Sequence, residues 1–435
     1  MSDLSPSAPP FRIGIAGLGT VGTGVVKILT AHAGMLAEKA GRVVEIAAVS
    51  ARNRGRDRGV DLGGLPWEDD ATALARRNDV DCVVELIGGS DGPAKALVEA
   101  ALSAGKHVVT ANKALIAHHG MALGAQAEAQ GTALRMEAGV AGGIPVVKAL
   151  GEGLAANRIT RLFGVLNGTC NYILTEMEAT KAAYGDVLAE AQRLGYAEAD
   201  PSFDVGGIDA AHKLAILAAI AFGTELDVDG VVTEGIERIT LTDIEMARDM
   251  GFAIKQLGLA RMHAGGLEQR VRPCMVPAST AVGALPGVIN CMVVEGDFVG
   301  QTAYFGPGAG EGPTASAVVA DLLDIAIGTR RPAFGRPVST LRPAKRLAHG
   351  EETAAYYLRF MLEDRPGALA QITSALGTGG VSIHRMRQYG QGGSDVPVVI
   401  VTHEAKRDAI DAALAAIDAL PVTHAHPVAI RIETV

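Results

Sequence analysis

The sequence predicts an α/β protein: a doubly wound parallel sheet at the N-terminal end, a second α+β domain, and a small C-terminal domain of two helices and four strands. Three observations carry this. Short apolar runs alternate with helical stretches over residues 11–140, a glycine-rich turn follows the first of those runs, and a compact β-α-β-β-α-β pattern closes the chain. At 435 residues the chain exceeds what one hydrophobic core organises, so roughly two to three domains are expected.

Residues 1–10 are polar and rich in Pro and Ser, with neither a basic nor an apolar stretch, and read as a short disordered lead rather than a signal peptide. Strands are expected at residues 12–16, 43–49, 80–87, 107–110 and 133–137, all within a first domain of residues 1–141. A second domain, 142–305, mixes expected helices at 144–154, 184–194, 208–222 and 241–257 with a strand at 158–166. Residues 306–312 form a glycine-rich loop, and a helix over 313–327 returns the chain to the first domain as a segment spanning 306–335. Residues 328–352 have no sustained period, so 336–352 is read as a linker. The last domain, 353–435, is expected to have strands at 356–363, 381–388, 396–403 and 428–433 and helices at 367–377 and 405–416, the ferredoxin-like arrangement.

Composition narrows the function. With 48% hydrophobic and 20% charged residues the chain is globular, and a net charge of -9 gives no basic field for a polyanion, which argues against nucleic acid as a partner. The longest charge-free helical run, 214–224, is too short to span a bilayer, so no membrane role is expected. Cys82, Cys170, Cys274 and Cys291 show no C-x-x-C spacing and suit a reducing cytoplasm.

Gly17-Leu18-Gly19-Thr20-Val21-Gly22 follows the first strand and precedes a helix-compatible run at 25–29. A bare G-x-G-x-x-G would be weak in a chain with 54 glycines, but the strand before it and the helix after it are the context of a Rossmann-type dinucleotide site. Gly17 permits the tight turn, Gly19 lets a pyrophosphate approach the backbone, Gly22 allows close helix packing, and the helix N-terminus supplies N–H donors. The second strand does not end in the acidic residue that grips the ribose of NAD. It runs into Ser50-Ala51-Arg52-Asn53-Arg54, which suits a 2′-phosphate, so NADP is expected to be preferred, with NAD possible. The plainer alternative is that Arg52, Arg54, Arg56 and Arg58 form a solvated loop.

Asp209 and Lys213 stand at i, i+4 on a helix with no other charge over 214–223. Such a pair is often a surface salt bridge worth little. On a largely buried helix, a lone Lys oriented by a carboxylate can instead give a proton to the oxygen of a carbonyl under reduction. Glu198, Asp200 and Asp204 lie just upstream; they suit a cationic amino group, or form an acidic loop with a helix cap. Lys113 follows the fourth strand, at the end of the sheet where ligands bind. Residues 136–144 form a glycine-rich bend that offers carbonyls to a hard cation or serves as a hinge.

These segments together resemble homoserine dehydrogenase over nearly the whole chain. The match is carried by the fingerprint, Thr110-Ala111-Asn112-Lys113, Leu166-Asn167-Gly168-Thr169-Cys170-Asn171, Gly195-Tyr196-Ala197-Glu198-Ala199-Asp200-Pro201, Asp204-Val205-Gly206-Gly207-Ile208-Asp209-Ala210-Ala211-His212-Lys213 and Gly308-Ala309-Gly310-Glu311-Gly312. The resemblance implies interconversion of L-aspartate 4-semialdehyde and L-homoserine in threonine and methionine biosynthesis. It places the catalytic Lys at Lys213 with Asp209 as partner, a second active-site Lys at Lys113, substrate contacts at Glu198 and near Asp204, and Gly310 against the cofactor. It further implies a monovalent cation, usually sodium, held by main-chain oxygens of Glu137, Val140, Gly142 and Ile144. Cys170 departs from the Thr of many relatives. The segment Asp364-Arg365-Pro366-Gly367 in the last domain resembles an ACT domain, which implies threonine as regulator, with Asp364, Pro366 and Gly367 as contacts, in a homodimer or homotetramer of the monofunctional form. Two other readings stand beside this one: a phosphorylating semialdehyde dehydrogenase using Cys170 as nucleophile, and a non-catalytic NADP-binding amino-acid sensor.

Overall fold

The computed structural model describes residues 8–348, 350–388 and 395–434, so most of the expected N-terminal lead, residues 1–7, lies outside the described residues. The chain packs as two units, one of residues 1–168, 209–231 and 289–344 and the other of residues 169–208, 232–288 and 345–435.

In the first unit, β1 (Phe11–Ala16), β2 (Val44–Ser50), β3 (Cys82–Glu85), β4 (His107–Thr110) and β5 (Leu134–Arg135) form one sheet in the order β2-β1-β3-β4-β5. All neighbours are parallel, the doubly wound Rossmann arrangement. The chain leaves β1 toward β2 on one side and returns to β3 on the other, which opens a crevice at the C-terminal ends of β1 and β3. Ile13, Ile15, Val84 and Val109 face helix residues Val25 and Leu29, and the helix Glu311–Ala326 adds Val318, Leu322 and Ile325 to the same core. The return of the chain to the first domain is therefore a packed helix. Three antiparallel strands, Gly300–Pro307, Ile289–Gly296 and Ile159–Gly164, complete this unit with the buried helix Ile208–Phe222.

In the second unit a long antiparallel hairpin pairs Phe252–His263 with Gly266–Pro277. The latter strand also pairs with Thr423–Ile432, which pairs in turn with Thr353–Glu363, then Asp395–Thr402, with Ile383–Gln388 at the edge. The C-terminal β-α-β-β-α-β domain is thus continued by the hairpin. Its helices Ala368–Thr378 and Arg407–Asp418 cover one face, burying Tyr356, Leu358 and Ile400. Tyr357, Val399, Val401 and Ile430 on the other face pack with Ile244, Met246 and Ala247 of the helix Leu241–Asp249. Both faces of this sheet are thus covered within the unit, while the edge strand Ile383–Gln388 is largely exposed.

Several expected elements change. The helix expected over 241–257 stops at Asp249; Gly251 takes a left-handed φ of +85° and the strand Phe252–His263 begins. That strand is buried on both faces, so its apolar run has no alternation to distinguish it from a helix. The expected helix 144–154 is a turn at Val146–Lys148 followed by a π-helical turn, Ala149–Gly153. The strands expected at 80–87 and 133–137 shorten to Cys82–Glu85 and Leu134–Arg135: residues 86–87 and 136–137 run on into the loops at the C-terminal ends, while Asp81 and Ala133 still hydrogen-bond neighbouring strands at the other end. The linker expected over 336–352 is anchored: Val338 N donates to Glu128, and Glu352 is buried against Arg270 at 2.8 Å.

Glu352 belongs to a buried ionic cluster. Glu268, 2% exposed, accepts from Arg431 at 2.6 Å and Arg270 at 3.0 Å and meets His263 at 2.9 Å. Burial alone pushes its carboxyl up, but Arg431, His263 and Arg270 outweigh that and bring it from 4.5 down to about 2. The unfolded chain therefore binds the proton first, so this stabilisation is complete above about pH 4.5 and is lost as pH falls toward about 2. Glu268→Gln is expected to cost about 3 kcal/mol at neutral pH and to flatten stability between those pH values, as read by urea unfolding at a series of pH values. A variant whose stability falls with acid as steeply as the parent's overturns this.

Candidate active site

The glycine turn is shaped as the fingerprint requires. Gly17 has φ +98°, and a Cβ there would lie 2.4 Å from the carbonyl oxygen of Leu86 just beyond β3. A Cβ at Gly22 would lie 2.0 Å from the Gly17 oxygen, whereas one at Gly19 meets nothing within 4 Å. The turn is thus closed on the protein side at Gly17 and Gly22 and open at Gly19. The helix Thr20–Ala31 starts there with Gly19 as its N-cap, so the first-turn N–H groups of Thr20, Val21 and Gly22 have no carbonyl four residues back within the helix. Gly310, φ +113°, caps the helix Glu311–Ala326, which is held to the fingerprint helix by Lys27–Glu311 at 2.6 Å and by the absence of a side chain at Gly24.

Arg52 is exposed just beyond β2. Its neighbours are less free than a solvated loop implies. Arg58 donates from Nε to the Leu18 carbonyl in the fingerprint at 3.1 Å and from Nη1 to the Arg56 carbonyl at 2.8 Å. Arg54 and Arg58 stand over the Trp67 ring at 5.7 and 5.3 Å, and these residues line a cavity of about 270 Å³. Sequence reasoning took Arg58 only as part of a solvated loop and missed Trp67, for which the one signal was that it is the only Trp of the chain.

The second cluster of the first unit is built on Asp209, 4% exposed. Its Oδ2 accepts from Lys213 Nζ at 2.7 Å and Asn167 Nδ2 at 3.0 Å, and its Oδ1 meets Lys113 Nζ at 2.9 Å. Lys213 Nζ also donates to the Leu166 carbonyl at 2.8 Å, which Asn290 supports from its side chain at 3.0 Å. Lys113 opens the helix after β4, where Asn112 accepts from Leu115 N at 3.1 Å as N-cap. Beneath it, Glu85 at the end of β3 accepts from Thr110 Oγ1 at 2.6 Å and Ile87 N at 2.7 Å. Burial by itself raises the Asp209 carboxyl, but Lys213 and Lys113 outweigh it and hold it well below the usual carboxylate range. The surface salt-bridge reading of Asp209 and Lys213 is excluded by their burial. The structure brings Lys113 to the pair, and with it Asn167 and Asn290, which the i, i+4 spacing alone did not reveal.

Around the glycine-rich bend, the short helix Ala138–Ala141 ends at Gly142, φ +56°, where a Cβ would lie 2.5 Å from the Gly308 carbonyl. Both carboxylate oxygens of Glu137 are engaged, by Val147 N at 2.9 Å and Lys148 N at 2.8 Å. The Glu137 carbonyl accepts from Val140 N at 3.3 Å, and Val140 and Ile144 are buried. Among the described residues there is no cluster of three His, Cys, Asp or Glu side chains placed to hold a metal.

Within the second unit, Glu198 is exposed and its carbonyl accepts from Gln192 Nε2 at 3.0 Å; Asp204 is half-buried in the short helix Ser202–Val205. The Cys170 thiol is fully buried, donates to the Asp204 carbonyl at 3.3 Å, and packs with Ile173 and Leu174. Asp364 and Pro366 lie in the exposed turn before the helix Ala368–Thr378, and Gly367, φ +86°, is its N-cap. Among the described residues no single helix is long and apolar enough to cross a membrane.

Comparison with known proteins agrees with this geometry. The family model for homoserine dehydrogenase matches residues 145–323, the model for the homoserine dehydrogenase NAD binding domain matches 17–137, and the ACT domain model matches 356–422. The homoserine dehydrogenase of Pseudomonas aeruginosa is 46% identical over 98% of this chain and 99% of its own length, and that of Neisseria gonorrhoeae is 43% identical over the same shares. The crystal structure of a homoserine dehydrogenase from Thiobacillus denitrificans superposes with a TM-score of 0.92 at 44% identity, covering 98% of each chain; that of S. aureus gives 0.76 at 29% over 98% of this chain and 99% of its own. With a dinucleotide turn, a buried Lys–Asp–Lys cluster and relatives matched end to end, the chain belongs to the homoserine dehydrogenase family, NAD(P)-dependent oxidoreductases acting on CH–OH groups, and carries an ACT domain.

Proposed function

We propose that the chain interconverts L-aspartate 4-semialdehyde and L-homoserine with NADPH preferred over NADH, and that Lys213 exchanges the proton at the carbonyl oxygen. The observation that carries this is the buried Asp209 carboxylate held between two lysine ammonium groups. When bound, the nicotinamide supplies or accepts the hydride. Asp209 orients Lys213 and compensates its charge, and Lys113, with about a third of its side chain exposed, adds a second donor toward the developing alkoxide. A donor set held in place before reaction needs little reorganisation in the transition state.

The turn Gly17, Gly19, Thr20, Val21 and Gly22 fits a pyrophosphate, since its open backbone is at Gly19 and the helix N–H groups follow. Gly310, on the neighbouring cap, would lie against the same cofactor. Arg52, exposed beyond β2, is read as the 2′-phosphate contact, with the arginine-lined cavity behind it. Arg52→Glu is therefore expected to raise KM for NADPH at least about tenfold while changing that for NADH little, a difference of about 1.4 kcal/mol. Equal effects on both cofactors in parallel oxidation assays would reduce Arg52 to a loop residue.

Glu198 and Asp204 are read as carboxylates for the substrate ammonium group. Main-chain oxygens of Glu137, Val140, Gly142 and Ile144 suit a sodium-like cation, because the Glu137 side chain is already committed to two amides and the left-handed Gly142 turns the backbone sharply. The turn of Asp364, Pro366 and Gly367 is the proposed threonine contact, in a homodimer or homotetramer working in the cytoplasm. The thiol alternative is weakened by the full burial of Cys170 in a packed core with Ile173 and Leu174. The direct test gives aspartate semialdehyde to the enzyme with NADPH and, in parallel, with NADP+ plus phosphate: NADPH oxidation with formation of homoserine supports the reading, and phosphate-dependent reduction of NADP+ without homoserine formation defeats it.

A further inference from the structure

Two imidazoles beside the Lys–Asp–Lys cluster have no part in the chemistry above. His212 precedes Lys213 in the helix Ile208–Phe222 and is 6% exposed. Its ring meets that of His118 edge-on, with centroids 5.1 Å apart and planes at 85°. His118 is exposed and belongs to the helix Lys113–Ala129, whose first residue is the lysine on Asp209. The same two helices thus touch at Lys113–Asp209, 2.9 Å, and again at His118–His212.

We propose that His212 is a positioning residue: its uncharged ring, seated against His118, sets the approach of the two helices so that Lys113 and Lys213 share the Asp209 carboxylate. Edge-to-face aromatic packing holds a defined separation and orientation, and the reach of Lys113 to Asp209 depends on where its helix starts. Among the titratable groups that act on His212 are His118 and Lys113 from the facing helix and Asp209 one turn earlier on its own. Burial is the largest influence and disfavours the imidazolium; His118 and Lys113 act in the same direction, Asp209 in the opposite one, and the ring titrates below the usual histidine range. At neutral pH it is uncharged. In acid, an imidazolium would add a further cation to a site where one carboxylate already serves two lysines, and would draw Asp209 away from them. Activity then falls on the acid side as His212 takes up its proton.

This rests on the reading of Lys213 and Asp209 as the proton-transfer pair, and the test separates the two. The kcat/KM profile of the full chain is measured from about pH 5 to 8 for the parent, His212→Gln and His118→Gln. In His212→Gln the acid limb is expected to move to lower pH, with kcat at neutral pH down about tenfold and KM for NADPH unchanged. His118→Gln, at an exposed position that leaves folding intact, removes one of the groups that disfavour the His212 imidazolium and is expected to shift the limb to higher pH by a smaller amount. An acid limb that superimposes on the parent's in both variants overturns the proposal, as does a loss of NADPH affinity in parallel with kcat. Lys213→Ala is assayed alongside: if it retains turnover, the proton-donor reading fails; if it is inactive while the His212→Gln profile is unchanged, only the positioning role fails.

Discussion

Lys213→Ala is expected to lower kcat by about a thousandfold, near 4 kcal/mol of transition-state stabilisation, while the affinity for NADPH stays within about twofold. The reason lies in the division of contacts. Lys213 Nζ bonds Asp209 and the Leu166 carbonyl, whereas the fingerprint turn and the Arg52–Arg58 loop are formed by other residues. Removing the ammonium takes away the proposed proton donor and leaves Asp209 paired with Lys113 and Asn167, so the buried carboxylate keeps partners and the fold survives. Steady-state kinetics with a fluorescence titration of NADPH check this. A variant that turns over at the parental rate but binds NADPH poorly would move Lys213 from the chemistry to the cofactor.

The second large effect concerns the ACT domain. Asp243, fully buried, accepts from Arg359 Nε at 2.6 Å and from Thr240 Oγ1 and N at 2.7 and 3.1 Å, closing the capping box of the helix Leu241–Asp249. Asp243→Ala strands the Arg359 guanidinium, loses the cap and opens a void, and is expected to cost about 3–5 kcal/mol. Thermal unfolding reads it, and a Tm within a degree or so of the parent's would refute it. The same geometry governs how the proposed threonine contact is to be tested. Cutting the chain before Thr353 removes Tyr357, Val399 and Ile430 from the core shared with Ile244 and Met246, and takes Thr423–Ile432 from its ladder with Gly266–Pro277. A truncated enzyme that fails is then a folding result, so point substitutions in the Asp364–Gly367 turn are the informative variants.

Elements whose pattern is local were legible in the sequence. The strand His107–Thr110 and the helix Ile208–Phe222 fall where the residues place them, and the fingerprint turn was identified by the strand before it and the helix after it. The hairpin of Phe252–His263 and Gly266–Pro277 was not. The first strand is buried on both faces with Lys255 and Gln256 among the buried residues, and the second buries Glu268, Arg270 and Arg272, which look like surface charges until partners from Glu352 and Arg431 are present. Buried charge is affordable only when paired, and pairing across more than eighty residues leaves no trace in spacing.

The sequence by itself determined the dinucleotide turn, the family, and the candidate residues Asp209 and Lys213, because φ > 0 glycines, helical periodicity and motif spacing are written within a few neighbouring residues. Only the tertiary structure decided what those residues meet. It brought Lys113 from the end of β4 onto Asp209, set His118 against His212, tied Arg58 to the Leu18 carbonyl, and closed the ACT sheet with the helix Leu241–Asp249. Each is a contact between segments distant in the chain, fixed by which surfaces can be buried together with their polar groups satisfied, and that condition is met only by the folded whole.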